Sequence, residues 1–493
     1  LSFVSIQFLL FFPVVTLVYF ALPHKLRWFW LFCASYFFYM SWNPAYGLLL
    51  AVSTAITYLS GLLIGKAERL SDKEKAVKRK KLWVAASFAL NLGILIIFKY
   101  LNFFDEIYIG ITSFLGMPAG PMKFDLLLPV GISFYTFQAL SYTVDVYRGD
   151  LKPERHFGKY ALFVSFFPQL VAGPIEKSKD LLHQFSEVHR FDYDQARRGL
   201  LLMLWGYFQK VVVADRLGEL VNTVYSSPGK YGGAEVALAS IFFAFQIYCD
   251  FGGYSNIAIG AAQVLGFSLT TNFNRPYFSL SIKEFWRRWH ITLGAWFRDY
   301  LYIPLGGNRC SLARRCLNLF IVFAVCGLWH GASFTFVIWG TLHGLYQIFG
   351  LLLKPARQRA AGILKIDPDS RPNRFLRAVF TFILTDFAWI FFRADTVQDA
   401  FALIGDLFRP SDLSNGGIFT LGLTAPEFFT ALAGIAIILA VDVLSLKTDL
   451  RARLLKKKPA FRWAAYLSAA LVILIFGIYG SQYTAQQFIY FQF

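Results

Sequence analysis

The sequence predicts an all-α polytopic membrane protein with about 11–13 transmembrane or re-entrant helices. Three observations carry that reading. Of 493 residues, 56% are hydrophobic and only 16% are charged, whereas soluble domains carry about a quarter charged residues. Aromatic residues make up 18% of the chain, with 12 Trp and 25 Tyr, side chains that settle at headgroup level. Apolar runs of spanning length recur from one end of the chain to the other.

A spanning helix takes about 20 mainly apolar residues. The runs that qualify are 3–22, 27–43, 46–65, 82–104, 126–146, 198–222, 236–258, 316–332, 334–353, 374–394, 426–446 and 463–482. The first is followed, not preceded, by Lys25 and Arg27. That order is wrong for a cleaved signal peptide and right for a first span that starts outside. The stretch 157–172 is shorter and ends in Pro168, Gly173 and Pro174. It reads as a re-entrant or broken helix, tolerated where it packs in protein or faces a cavity. No internal repeat is evident, which disfavours an inverted-repeat transporter. Polar stretches are connection-sized, so residues 1–493 are expected to form one membrane-embedded domain, with its core motifs within 126–353.

The net charge of +18 sits in short loops beside the apolar runs. Segment 66–81 carries eight Lys/Arg, and 148–159, 309–315, 354–377 and 447–462 are also basic. Loops 105–125, 224–235 and 409–425 are poor in them. Basic loops stay cytoplasmic, so both termini are expected outside. The excess charge serves orientation, which argues against a nucleic-acid partner and leaves the lipid bilayer as the first one. The five cysteines form no Cys-x-x-Cys pair, giving no support for a disulfide framework or a metal site. Phosphate-loop, serine-elbow and His-Glu-x-x-His motifs are not found.

Polar groups within the apolar runs are the candidate chemistry. His330, in Trp329-His330-Gly331, and His343 interrupt the run Cys316 to Leu353. An ionisable group at membrane depth marks a functional site by default, and imidazole suits proton transfer near neutral pH. The residues alone also fit a buried histidine bonded by its neighbours; His343 reads as structural or secondary. Segment 281–309 is too charged to span. Trp286, Trp289, His290, Leu293, Trp296, Phe297 and Tyr300 recur at three- and four-residue steps, one face of an interfacial helix. Glu284 and Arg288 pair on the other face, and Pro304, Gly306 and Gly307 end the helix. His290 then points inward, either to a reaction chamber or to a backbone carbonyl. In Cys249–Asn256, Asp250 and Asn256 flank two glycines, which reads as a helix break lining a cavity or closed by those side chains. Lys210, Asp215 and Arg216 read as a paired cluster. His330 and His290 are the candidate catalytic residues, with Trp289, Trp329, Asp250 and Asn256 as candidate substrate contacts.

An ordered series of motifs runs through the chain: Pro129–Tyr135, Val171–Ile175, Asp250–Ser255, Asn272–Tyr277, Glu284–Ile291, Arg298–Gly307 and Leu328–Ala332. The series resembles the membrane-bound O-acyltransferase superfamily, in its bacterial alginate O-acetylation branch. The resemblance implies a ring of transmembrane helices around a funnel and tunnel, in a bacterial cytoplasmic (inner) membrane. By motif match it implies His330 as the catalytic histidine and His290 as its companion. It implies no bound cofactor, acetyl-coenzyme A or another acyl thioester as donor, a polysaccharide acceptor such as alginate, and an extracytoplasmic acetyltransferase as partner. The reading from another class is a transporter or flippase for a polysaccharide or acyl carrier.

Overall fold

The structure, a computed structural model, describes every residue except 118, 119, 121, 123, 125–127, 172, 412–416, 447, 480–487, 492 and 493. The described residues fold into helices and connections, with no strand among them. Among the described residues, eight helices are long and apolar enough to cross a membrane: Pro44–Glu68, Lys73–Phe114, Gly233–Val264, Leu312–His330, Phe334–Leu352, Arg371–Arg393, Ala425–Leu444 and Pro459–Phe476. The protein is an all-α, multi-pass membrane protein. The runs at 3–22, 27–43 and 126–146 form the shorter helices Ile6–Ala21, His24–Met40 and Ile132–Arg148. The run 198–222 lies in a helical stretch, Tyr193–Tyr207, Phe208–Ala214 and Asp215–Tyr225, whose middle part is a π-turn. Residues 126, 127 and 480–482 of the expected spans, and parts of loops 105–125 and 409–425, lie outside the described residues.

The chain divides into two compact units, one of Leu1–Leu200 and Ala258–Thr270, the other of Leu201–Ile257 and Thr271–Phe493. In the first, Lys73–Phe114 is continuous over 42 residues, with a π-turn at Ile96–Tyr100. Small polar side chains join its helices. Ser53 donates to Asn91 at 2.5 Å, Ser87 meets Thr143 at 3.1 Å, and Tyr160 donates to Thr57 at 2.7 Å. Such bonds hold helices together where apolar packing gives no preference over lipid. The stretch 157–172 is broken, as Phe157–Ser165 and Phe167–Leu170 with Phe166 extended between them. The break leaves no orphan at Phe163, whose carbonyl accepts from Gln138 at 2.9 Å and Gln169 at 2.6 Å.

Two segments differ from expectation. Cys249–Asn256 does not break its helix, and Gly233–Val264 runs through it for 32 residues. The glycines there serve close approach instead. A Cβ on Gly253 would stand 2.7 Å from the Gly206 carbonyl oxygen, and one on Gly206 would stand 2.5 Å from that of Gly253. Segment 281–309, in turn, is not one helix. It forms Ile282–Arg288, then Ile291–Phe297, then a π-turn at Arg298–Tyr302. The expected Glu284–Arg288 pair is present at 2.6 Å, as is Lys210–Asp215 at 2.7 Å.

Candidate functional site: a buried histidine pair

His290 occupies the break between Ile282–Arg288 and Ile291–Phe297, in the left-handed region at φ +42°. Few bulky residues adopt that conformation, and strain of this kind persists only where neighbours over-determine it. Asn272 does so. Its carbonyl accepts the Ile291 N–H at 3.0 Å, and its side-chain oxygen accepts from the Thr292 hydroxyl at 2.7 Å. Its amide donates to Ser255 at 3.1 Å. On the preceding side, the Asn274 N–H donates to the Arg288 carbonyl at 2.8 Å. The backbone bonds an unbroken helix would make here are replaced by bonds to residues 272–274.

His330 is the last residue of Leu312–His330, and Gly331 after it is extended. That helix packs on Phe334–Leu352 through glycines: a Cβ on Gly340 would lie 2.3 Å from the Phe323 carbonyl oxygen. The close pairing carries His330 to the turn that holds His290. The two imidazole centroids are 6.3 Å apart, His290 fully buried and His330 3% exposed. Trp329 lies 6.0 Å from His290 and 4.9 Å from His330. Phe251 packs edge-on against His290 at 4.7 Å, and Trp339 against His330 at 4.9 Å. Tyr490 completes the group, 5.3 Å from His330 and 6.4 Å from His290.

The other sequence candidates stand further back. Trp289 stacks on Phe285 at 5.5 Å and meets Trp389 at 5.1 Å. Asp250 pairs with Lys210 at 2.6 Å. Asn256 donates to Gln209 at 2.7 Å. His343 is fully buried and lies parallel to Phe285 at 6.0 Å. Sequence reading missed Asn272 and Tyr490. Asn272 sits in a motif, Asn272–Tyr277, that had no chemistry attached to it. Tyr490 lies in a short aromatic run without helical period.

Two imidazoles in a water-poor, aromatic surround can accept a proton and hold a polarised oxygen between them. The helix leading to His290 also carries Lys283 and Arg287. The Lys283 ammonium is held below its ordinary pKa, first by partial burial and then by Arg287, Arg315 and Lys354. Lys283, Arg287, Arg315 and Lys354 thus form a cationic cluster on and around the helix that precedes His290.

Fold and site together describe a buried pair of histidines in a helical, multi-pass membrane protein. The model of the membrane-bound O-acyltransferase (MBOAT) family matches residues 154–362, a stretch that holds both histidines. The chain is 40% identical to the probable alginate O-acetylase AlgI of Pseudomonas aeruginosa, over 81% of this chain and 73% of that one. It is 38% identical to the probable alginate O-acetylase AlgI of Azotobacter vinelandii, over 87% and 82%. With the peptidoglycan O-acetyltransferase of Helicobacter pylori it shares 35% identity, over 76% and 72%. The chain belongs to the membrane-bound O-acyltransferase family. It is an enzyme, an O-acetyltransferase.

Proposed function

We propose that this protein, acting as one acyltransferase domain in a bacterial cytoplasmic membrane, moves an acetyl group from a cytoplasmic thioester to an extracytoplasmic hydroxyl. The observation that carries the proposal is the pair of buried imidazoles 6.3 Å apart. The hydroxyl belongs to a polysaccharide of the alginate kind, or to a partner acetyltransferase that completes the delivery. His330 acts as general base and takes the hydroxyl proton. The oxygen attacks the thioester carbonyl, a C–O bond forms, the C–S bond breaks, and the proton passes to the leaving thiolate. A placed base of this kind contributes about 100- to 10,000-fold. His290, fixed by its left-handed turn, donates to the developing oxyanion. Trp329 narrows the site against water.

The cationic cluster of Lys283, Arg287, Arg315 and Lys354 supports a phosphate-bearing donor, for which acetyl-coenzyme A is the fitting thioester. The basic segment 66–81 supports a cytoplasmic face for that loop and an extracytoplasmic start for the first helix.

Purified protein in vesicles, supplied with acetyl-labelled coenzyme A, tests the assignment. His330→Ala is expected to abolish label release from the vesicles and, in cells, acetylation of exported polymer at unchanged protein abundance. Normal acetylation in that variant would remove His330 from the chemistry.

A further inference from the structure

Asp250 uses both carboxylate oxygens. One lies 2.6 Å from the Lys210 ammonium, and the other accepts the backbone N–H of Ile489 at 2.7 Å, across 239 residues of sequence. Lys210 also pairs with Asp215 at 2.7 Å and sits 5.5 Å over the Tyr254 ring. Those three charged side chains are nearly fully buried. The same helical face holds the aromatic residues around Ile489. Phe488 packs on Tyr254 at 4.6 Å, and Tyr490 packs on Phe251 at 4.6 Å. Beside Lys210 in its π-turn, the Val211 carbonyl accepts the Ile478 N–H at 2.8 Å.

A buried ion pair is a poor source of stability, because desolvation offsets its attraction and apolar residues often serve as well. What it supplies here is an address. A carboxylate held by Lys210 presents its free oxygen to a single backbone amide, and the residue after that amide stands against both imidazoles.

We propose that the Lys210–Asp250 pair is a seat for Phe488–Tyr490, and that its work is to hold the Tyr490 ring against His330. Asp250 is thus a positioning residue, and Tyr490 a member of the site. The inference rests on the acyltransferase reading of the histidine pair.

The test combines a double-mutant cycle with a probe of position, both in the full-length protein. Tyr490→Ala and Asp250→Ala are each expected to lower acetyl transfer from labelled acetyl-coenzyme A, Asp250→Ala by about 100-fold, as misplacement of a site group does. In the double variant the losses are not expected to multiply, because removing the seat already removes what Tyr490 contributes. Asp250→Asn, which keeps an acceptor for the Ile489 amide, is expected to recover part of the activity. Independently of turnover, a Tyr490→Cys thiol is expected to react slowly with a membrane-permeant maleimide. Adding Asp250→Ala, or Lys210→Met if the first folds poorly, is expected to quicken that reaction. Multiplying losses, full activity of Asp250→Ala, or labelling unchanged by loss of the pair would each overturn the proposal. Retained activity in His330→Ala would instead sink the catalytic role given to the histidine pair, and the labelling rates would still decide the seat.

Discussion

Helix Gly233–Val264 stays whole although Asp250, Gly252, Gly253 and Asn256 lie in its middle. Segment 282–290, without a glycine or a proline, gives up its helix at Trp289 and His290. Intrinsic propensity assigns the opposite outcome to each. The difference lies in the partners. In the long helix the polar side chains are taken up by neighbours, Asp250 by Lys210 and Asn256 by Gln209, so the backbone keeps its own bonds. In the broken segment, Asn272 and Asn274 take up the Ile291 N–H and the Arg288 carbonyl that the helix would otherwise pair. Buried backbone groups must be paired but need not be paired within one helix. The whole helix supplies a rigid wall. The broken one supplies a strained turn that aims an imidazole.

The sharpest way to break this contrast is at the glycine contact of the long helix. Gly253→Leu sets side-chain atoms against the Gly206 backbone, and is expected to cost about 3 kcal/mol and most of the folded protein. Gly252→Ala is the control: its Cβ meets nothing closer than 3.5 Å, and thermal unfolding in detergent should be near normal. Next in size is the broken segment. Asn272→Ala leaves the backbone bonds of the turn but strands the buried Thr292 and Ser255 hydroxyls beside it, and is expected to cost about 2 kcal/mol. Turnover should fall further than folded yield; equal falls would mean that Asn272 only stabilises. The turn itself is read by two replacements of His290. Both should be inactive, but His290→Gly should melt higher than His290→Ala, by about 1 kcal/mol, because only glycine accepts that φ without strain. Equal melting temperatures would show that the left-handed turn stores no strain. The smallest effect is expected from Arg288→Ala. It removes a pair one helical turn apart, worth about 0.5 kcal/mol, and unfolding should shift barely beyond error.

Much of this was legible because membrane depth makes polarity conspicuous. His330 and His290 stand out in apolar and aromatic surroundings, and the glutamate–arginine pair follows from spacing alone. The eight crossing helices fall on expected runs. The turn at His290 was hidden because the residues on either side keep a helical period through the break. Its cause lies about 18 residues upstream, in backbone bonds that no periodicity records. Tyr490 was hidden for a related reason, since its location is set by a carboxylate 239 residues earlier. The glycines of Cys249–Asn256 misled, because glycine inside a helix signals either a break or a close neighbour, and only the neighbour decides between them.

Lys73–Phe114 has a consequence at the scale of the bilayer. At about 1.5 Å per residue its 42 residues make a rod of roughly 63 Å, twice the roughly 30 Å of hydrocarbon. Leaning by the usual 20° or so absorbs only a small part of that excess. The rod must therefore stand proud of the lipid like a mast. Its foot, Lys73 to Lys81, is studded with ammonium and guanidinium groups, which makes it the end that remains in water.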